Sequence, residues 1–509
     1  MRPIDFLYRG LTRDPAAIAV EFGTASVSYA ELVADVESLA SGFQSLDRTP
    51  GSRVGICAFN TRAHLTALLA TYAAGKVWVP LNPRNGRAEL DAMIAATRPA
   101  ILVADEACMG KFSPTDAPLI LGEAEGSTAV AHESVRGLIR RHTGHSPHAV
   151  LRTPQDEQVI KFSGGTTGRP KGVVQPVRCI NTQAESILET FDFGPHDCFL
   201  VAAPLTHGTS CFVLPILAAG GRLTLLEKPA SAIILQAFES GGVTAVYLAP
   251  TMIYALMAEP GAADRKYPVL RHLIYSAAPM PPDRIEAARA VFGPVVETAY
   301  GQVEAPQIVT AMRANEFSYA GGRNLESVGR ATRMTRVEVM DSEGRILGPG
   351  EVGEVVVRGN LVMTGYLDMP ELTSQTIVDG WLHTGDLGAL DERGYLFLKG
   401  RLREVIISGG FNIFPADVEA VLGRHAAVQE CSVFGVADPK WGEALHAAVQ
   451  LRPGATATEA ELIQFVKREL DSVKAPKAVH FVDGLPTSPV GKVIRRAVRA
   501  QVLGDEVLP

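Results

Sequence analysis

Residues 162–172 read Phe-Ser-Gly-Gly-Thr-Thr-Gly-Arg-Pro-Lys-Gly, and these residue types together suit an anion. Glycines let backbone N–H groups approach phosphate oxygens closely, the hydroxyls of Ser163, Thr166 and Thr167 add donors, and Lys171 supplies positive charge. The run follows a strand-like Val-Ile-Lys-Phe, so the loop leaves the end of a strand. It is not a Walker loop, because a proline precedes the lysine and no Gly-Lys-Ser/Thr follows. A plain surface turn is the bland alternative, and the density of glycines and hydroxyls argues against it. By contrast, Gly348-Pro349-Gly350-Glu351-Val352-Gly353 has dinucleotide-fingerprint spacing but runs into Glu-Val-Val-Val, so it reads as a turn.

The elements that would position such a loop are legible on either side of it. Ser28-Tyr29-Ala30-Glu31 fits a capping box, with Leu32, Val33, Val36, Leu39, Ala40 and Phe43 following at helical spacing. Apolar runs at Val54 to Ala58, Val77 to Val79 and Ile101 to Ala104 alternate with helical patterns from Thr61 to Ala74 and in RAELDAMIAAT. The rhythm resumes after residue 195 with the strand-like FLVAAP, RLTLLE, TAVYLA and RHLIYS. Strands alternating with helices predict a parallel sheet covered on both faces, with ligands at the carboxyl ends of its strands. From about residue 333 to 400, alternating strands joined by Ser-Glu-Gly and Glu-Arg-Gly turns predict antiparallel hairpins. After residue 403 comes a compact unit with its own strands (SVFGV, HAAVQL, AVHFV) and helices (DVEAVLGRH, TEAELIQFVKREL).

Composition bounds the function classes. The 509 residues carry 48 basic and 55 acidic side chains, a formal charge of −7, and 47% hydrophobic residues. That balance describes an ordinary globular protein and gives no general attraction to nucleic acid or to anionic membranes, so an anionic ligand needs a local site. The six cysteines (Cys57, Cys108, Cys179, Cys198, Cys211, Cys431) are scattered, which reads as reduced thiols and not as a disulfide framework or zinc site. Arg2, Asp5 and Arg9 leave no room for an apolar signal core, and Lys76 and Pro80 interrupt the most apolar stretch. A cytoplasmic protein without a transmembrane segment is expected, and a homodimer is left open.

The segment SGGTTGRPKG resembles the phosphate loop of the adenylate-forming superfamily, which includes acyl-CoA synthetases, carrier-loading adenylation domains and luciferases. Further motifs follow in that family's order: SAAPM from Ser276, AYGQVE from Ala299, GEVVVRGNLVMTGYL from Gly353, WLHTGD from Trp381, GRLREVIISGGFNIFPADVE from Gly400 and PTSPVGKVIRR from Pro486. The resemblance spans essentially the whole chain. It implies an α/β fold: a large N-terminal domain, residues 1–402, of mixed and parallel sheets flanked by helices plus an antiparallel β subdomain. A small mobile α+β C-terminal domain, residues 403–509, completes it.

The implied chemistry has two steps. A carboxylate attacks the α-phosphorus of ATP and expels pyrophosphate; the thiol of coenzyme A then attacks the acyl-adenylate. By the resemblance, Ser163, Gly164, Gly165, Thr166, Thr167, Gly168 and Lys171 hold the β- and γ-phosphates. Glu304 with the Thr166 hydroxyl forms the Mg²⁺ site, a hard oxygen environment keeping several waters. Tyr300, followed by Gly301, stacks on adenine opposite the backbone of Ala277, Ala278 and Pro279. Asp386 accepts the ribose hydroxyls, and Arg401 reaches the ribose from the domain boundary. Lys492 bridges the attacking carboxylate and the α-phosphate, a contact whose removal typically costs about a hundred- to a thousand-fold in rate. Arg403 matches the hinge, where relatives usually carry Lys or Asp. After rotation Ser408, Gly409, Gly410 and Phe411 face the active site and leave room for the pantetheine arm; a mere tight turn at Gly409–Gly410 is the alternative.

His207, in PLTHGTS, resembles a gate at the acyl carboxylate, while Ser276, Thr298, Ala299 and Ile308 lie near the acyl pocket. No Asp stands in PLTHGTSCFVLP to pair with an amino-acid ammonium, so a simple organic acid, fatty or aryl, is expected. No carrier-protein segment follows residue 490, which favours CoA as acceptor. The resemblance thus implies an ATP-dependent fatty-acid–CoA ligase type of enzyme using ATP, Mg²⁺ and coenzyme A. A stand-alone ligase that loads a carrier protein, or a catalytically silent acyl or nucleotide sensor, are the alternative readings.

One residue departs from the pattern: relatives carry Thr or Ser before the metal-site Glu, and this chain has Val303. The methyl keeps the shape and loses a hydrogen bond, typically about 0.5 to 1.5 kcal/mol and more beside a charge. Val303→Thr is expected to speed single-turnover adenylation; an unchanged or slower variant contradicts the argument.

Overall fold

The computed structural model describes residues 1–113, 115–123, 133–163, 170–319, 322–408, 411–487 and 493–504. Two large sheets form its bulk. In the first, strands Glu133–Ser134, Leu119–Gly122, Ile101–Ala104, Arg53–Cys57, Val77–Pro80 and Glu157–Ser163 run parallel, and Lys171–Pro176 and Gly365–Tyr366 extend the edge antiparallel. The second carries a parallel centre of Ile18–Phe22, Arg222–Leu225, Cys198–Val201, Ala245–Leu248, His272–Tyr275 and Val296–Tyr300. Its edges, Ala25–Ser28 at one end and Thr310–Met312 with Arg330–Ala331 at the other, are antiparallel.

Strands buried on both faces are continuous apolar runs, and the period of two sends alternate residues to different cores. Val54, Ile56 and Val103 of the first sheet share one core cluster with Val20, Phe199, Val201 and Ile274 of the second. Between them lie helices Tyr29–Leu46, Arg62–Ala73, Val177–Phe191 and Ser210–Ala219, the last buried along its whole length. The alternate strand residues, Cys57, Val79 and Leu102 in one sheet and Leu200, Val246 and Leu273 in the other, pack on separate outer helices. The sheets are therefore locked together through a shared helical layer.

Local signals agree with this arrangement. Ser28 caps the helix Tyr29–Leu46 with the complete reciprocal box to Glu31, an arrangement worth about 1 kcal/mol. Thr61 caps the helix Arg62–Ala73 with its side chain alone, accepting the His64 N–H. The segment Gly348–Gly353 is a turn into the strand Gly353–Gly359. That strand pairs antiparallel with Thr335–Met340 and Trp381–Leu390, and Leu396–Arg401 completes this smaller sheet. All six cysteines are free thiols.

Strands Ile406–Ser408, Phe411–Ile413, Val428–Asp438, Gly442–Leu451 and Ala478–Phe481 make a separate last sheet with its own apolar cluster. Its tie to the chain before it is ionic. Arg495, at the start of the helix Arg495–Leu503, clasps Glu404 and binds Glu419 at 2.8 Å. Glu404 belongs to the single turn Leu402–Glu404, and Glu419 to the helix Pro415–Leu422. Removing Arg495 from this part-buried group leaves both carboxylates without their charge-assisted hydrogen bonds. Arg495→Met is expected to lower stability by roughly 1–2 kcal/mol, with Arg495→Met/Glu419→Gln recovering part of it. Denaturant unfolding measures both; a loss no larger than a surface pair gives would show the clasp to be incidental.

Candidate active site

The strand pairs just described bring together residues far apart in sequence around one carboxylate. Asp386 lies in Trp381–Leu390 directly opposite Arg401 of Leu396–Arg401, and it is only 6% exposed. Its Oδ1 meets Arg401 Nε at 2.7 Å. Its Oδ2 accepts the Tyr300 hydroxyl at 2.6 Å and Gln302 Nε2 at 2.6 Å. Gln302 also donates to the Thr384 carbonyl at 2.9 Å. Burial, and then the Asp386 charge, push the Tyr300 hydroxyl well above its ordinary pKa, so it stays a donor. A carboxylate offers about four acceptor positions, so acceptor capacity remains for a ligand hydroxyl. Gly301 between the two donors is obligatory, since a Cβ there would sit 2.6 Å from the Gln307 backbone nitrogen. Three of these residues, Tyr300, Asp386 and Arg401, are anticipated by sequence; Gln302 is not, although it stands inside AYGQVE.

A second carboxylate lies across the first sheet. Ser163 and Lys171 are register partners at the mouth of a hairpin; Gly164, Gly165, Thr166, Thr167 and Gly168 lie outside the described residues. Lys171 Nζ stands 5.8 Å from the Tyr366 ring centroid, and the Tyr366 hydroxyl donates to Glu304 Oε1 at 2.9 Å. The backbone around Glu304 is pinned on both sides. The Glu304 carbonyl accepts the Met363 N–H at 2.8 Å, and the Val303 carbonyl accepts Gln175 Nε2 at 2.8 Å. Sequence reasoning passes over Tyr366 and Gln175, whose polar ends acquire meaning only through these long-range contacts. Among the described residues no cluster of three His, Cys, Asp or Glu could cage a metal. A lone carboxylate such as Glu304 fits Mg²⁺, which takes one or two carboxylates and fills its shell with phosphates and water.

The remaining predicted residues divide between two places. Ser276 follows the strand His272–Tyr275, and Ala277 turns the chain with φ 74° before Ala278 and Pro279. Thr298 and Ala299 are buried in Val296–Tyr300. His207 precedes the helix Ser210–Ala219 with Nδ1 2.8 Å from Thr206 Oγ1. Its carbonyl accepts Lys161 Nζ at 3.2 Å and Ser210 Oγ at 2.8 Å. Burial above all, then the Lys161 and Arg84 charges, pull its imidazole down to about 4. Lys161 is a further residue that the sequence does not single out, because it reads as one position in a strand.

On the last sheet Ser408 is buried and pairs with Phe411 and Gly442, while Phe411 is 60% exposed. Beside Gly442, the Trp441 ring has Lys440 at 4.8 Å and Lys477 at 5.4 Å from its centroid. Arg403 lies in the turn Leu402–Glu404, and its charge is felt at Tyr366. Among the described residues no hydrogen bond or ion pair joins Ser408 or Phe411 to Tyr300, Glu304 or Asp386. Gly409, Gly410 and Lys492 lie outside the described residues; Thr487 and Val493, which flank the Lys492 segment, pair across its base.

The chain is similar over most of its length to enzymes of one family. The family model for the AMP-binding enzyme matches residues 7–367, and that for the AMP-binding enzyme C-terminal domain matches residues 417–492. The medium/long-chain-fatty-acid–CoA ligase FadD8 of Mycobacterium tuberculosis is 32% identical over 94% of this chain and 86% of its own length. A feruloyl-CoA synthase of an Amycolatopsis species is 34% identical over 95% and 96%. The crystal structure of ATP-bound MatB from Rhodopseudomonas palustris superposes with a TM-score of 0.88 at 29% identity, covering 100% of both chains.

The low pKa of His207 has a signed consequence. With a folded value near 4 against an ordinary 6.5, the unfolded chain binds the extra proton between those pH values. This residue's contribution to stability therefore rises with pH from 4 to 6.5 and is level above that. In ¹³C-histidine NMR, the resonance missing from His207→Gln is expected to titrate near pH 4; a midpoint of 6 or higher would contradict the burial argument.

Proposed function

The chain belongs to the AMP-binding enzyme family, and on that premise we propose how its residues carry out an ATP-dependent acid–CoA ligase reaction. The observation that carries the assignment of roles is the buried Asp386, held by Tyr300, Gln302 and Arg401, with Glu304 and Lys171 meeting at Tyr366. Asp386 accepts the ribose hydroxyls, and the bond from Tyr300 to Asp386 fixes the Tyr300 ring as a wall for adenine against Ala277, Ala278 and Pro279. Arg401 sets a positive charge against Asp386. Ser163, Gly164, Gly165, Thr166, Thr167, Gly168 and Lys171 receive the β- and γ-phosphates.

Glu304 and Thr166 would hold Mg²⁺, which neutralises phosphate charge when bound. Tyr366 holds one oxygen of Glu304 and leaves the other for that task. Neutral His207 stands at the acyl carboxylate without adding a charge of its own. Lys492 offsets the charge that develops between carboxylate and α-phosphate as pyrophosphate leaves. Residues 403–509 then rotate about Arg403 against residues 1–402, and Ser408, Gly409, Gly410 and Phe411 admit the pantetheine arm. The exposed Trp441 between two lysines, one residue from the partner of Ser408, suits the nucleotide end of CoA.

The acid is fatty or aryl, the range that the names of FadD8 and the feruloyl-CoA synthase span. Among the described residues no helix is long and apolar enough to cross a membrane, and substrates such as ATP and CoA suit the cytoplasm.

Incubation with ATP, Mg²⁺, CoA and a panel of fatty and aryl acids is expected to give CoA thioesters detectable by mass. Lys492→Ala is expected to slow adenylation about a hundred- to a thousand-fold while leaving thioester formation from supplied acyl-adenylate intact. Thioester formation with a carrier protein but never with CoA would replace this reading.

A further inference from the structure

The strand Glu157–Ser163 breaks the pattern of the core it enters. Successive side chains of a strand alternate between its faces. Ile160 and Phe162 pack in the outer core of the first sheet, and Val159 packs in the core shared with the second. Lys161 follows Val159 by two and so lies on the shared side, half-buried where the pattern calls for an apolar residue. An ammonium held back from water needs acceptors. Its Nζ donates to the His207 carbonyl at 3.2 Å and to Ser210 Oγ at 3.0 Å, and it stands 5.3 Å from the Trp78 ring centroid. Trp78 is 1% exposed, and its indole N–H has no partner among the described residues. Among those residues no carboxylate pairs with Lys161, so its two hydrogen bonds both fall on the loop that carries His207.

That loop is gripped on both sides of His207. The His207 carbonyl also accepts the Ser210 N–H at 3.3 Å and Ser210 Oγ at 2.8 Å, which sets three donors on its two lone pairs. The helix Ser210–Ala219 has no side-chain N-cap bond, so this knot closes its entry. Upstream, Asn60 donates to the Val201 and Ala203 carbonyls at 3.2 and 3.1 Å and accepts the Leu205 N–H at 3.0 Å. Ser163, two residues beyond Lys161 and so about 7 Å along the strand, opens a hairpin with Lys171 as its register partner. We propose that Lys161 is a positioning residue of the adenylation step: it ties the His207 loop to the strand that ends in Ser163 and so registers the bound acid against ATP. The inference rests on the assignment of His207 to the acyl carboxylate and of Ser163 and Lys171 to the phosphates made above, and it adds a residue outside both sets. Reaction between two bound groups is sensitive to their placement, and an error of about 1 Å can cost about a hundredfold in rate.

The test times the two half-reactions separately with octanoic, cinnamic and 4-hydroxycinnamic acid. Lys161→Met keeps an apolar stem against Trp78 and removes the donors. Its single-turnover adenylation is expected to fall about tenfold or more, at saturating acid and ATP. Thioester formation from supplied acyl-adenylate, in which acid and nucleotide are already joined, is expected to stay near the wild-type rate. Lys161→Arg, which restores charged donors, is expected to recover part of the adenylation loss. Ser210→Ala removes one member of the knot and leaves the bond from Lys161 to the His207 carbonyl. It is expected to show a smaller loss confined to the same half-reaction, and it decides the matter should Lys161→Met fail to fold. An equal fall in both half-reactions, a loss that vanishes at saturating acid, or adenylation at the wild-type rate overturns the proposal and leaves the ligase assignment standing. Wild-type enzyme that gives neither thioester nor ATP–pyrophosphate exchange with any of the three acids is a different result, overturning the ligase assignment and this proposal with it.

Discussion

A carboxylate that is almost wholly removed from water must be surrounded by donors, and Asp386 imposes that requirement on the rest of the site. Its donors come from two sheets. Arg401 comes from the neighbouring antiparallel strand, and Tyr300 and Gln302 come from the end of the second sheet and the turn that follows. Each donor is placed by a constraint of its own: the register between Asp386 and Arg401, the termination of Val296–Tyr300, and the missing side chain at Gly301. If the antiparallel sheet docked differently, Asp386 would lose its partners and pay the desolvation cost unaided. The cluster around Asp386 is therefore tied to the docking of the sheets.

The same logic operates on the acyl side with opposite sign. Lys161 lies at the edge of the shared core, donating to the His207 carbonyl and Ser210 and facing the Trp78 ring at 5.3 Å. Its charge and the burial of His207 together keep the imidazole neutral. The cationic groups Lys171 and Arg401 instead stand beside Tyr366 and Asp386.

Charge also ties together segments within residues 403–509. Arg495 connects the turn Leu402–Glu404 to the helix Pro415–Leu422, and the Thr487–Val493 bridge lies just before it in the chain. The net charge of −7 says nothing of this arrangement, because acidic and basic side chains elsewhere cancel around a small cationic set.

By itself the sequence determined the alternation of buried strands and helices, the caps at Ser28 and Thr61, the hairpins after residue 333 and the separate unit after 403, since these rest on local periodicity and turn chemistry. It also identified Tyr300, Asp386 and Arg401, because each stands in a motif whose neighbours are short-range. It did not reveal Gln302, Tyr366, Gln175 or Lys161. Each reads alone as an ordinary strand or turn residue, and its partner lies tens of residues away, as with Tyr366 and Glu304 or Lys161 and His207. Only the tertiary structure decided which polar side chains find partners on burial and which, like the Trp78 indole N–H among the described residues, do not. That distinction depends on how two sheets close on a common layer of helices, which no local pattern encodes.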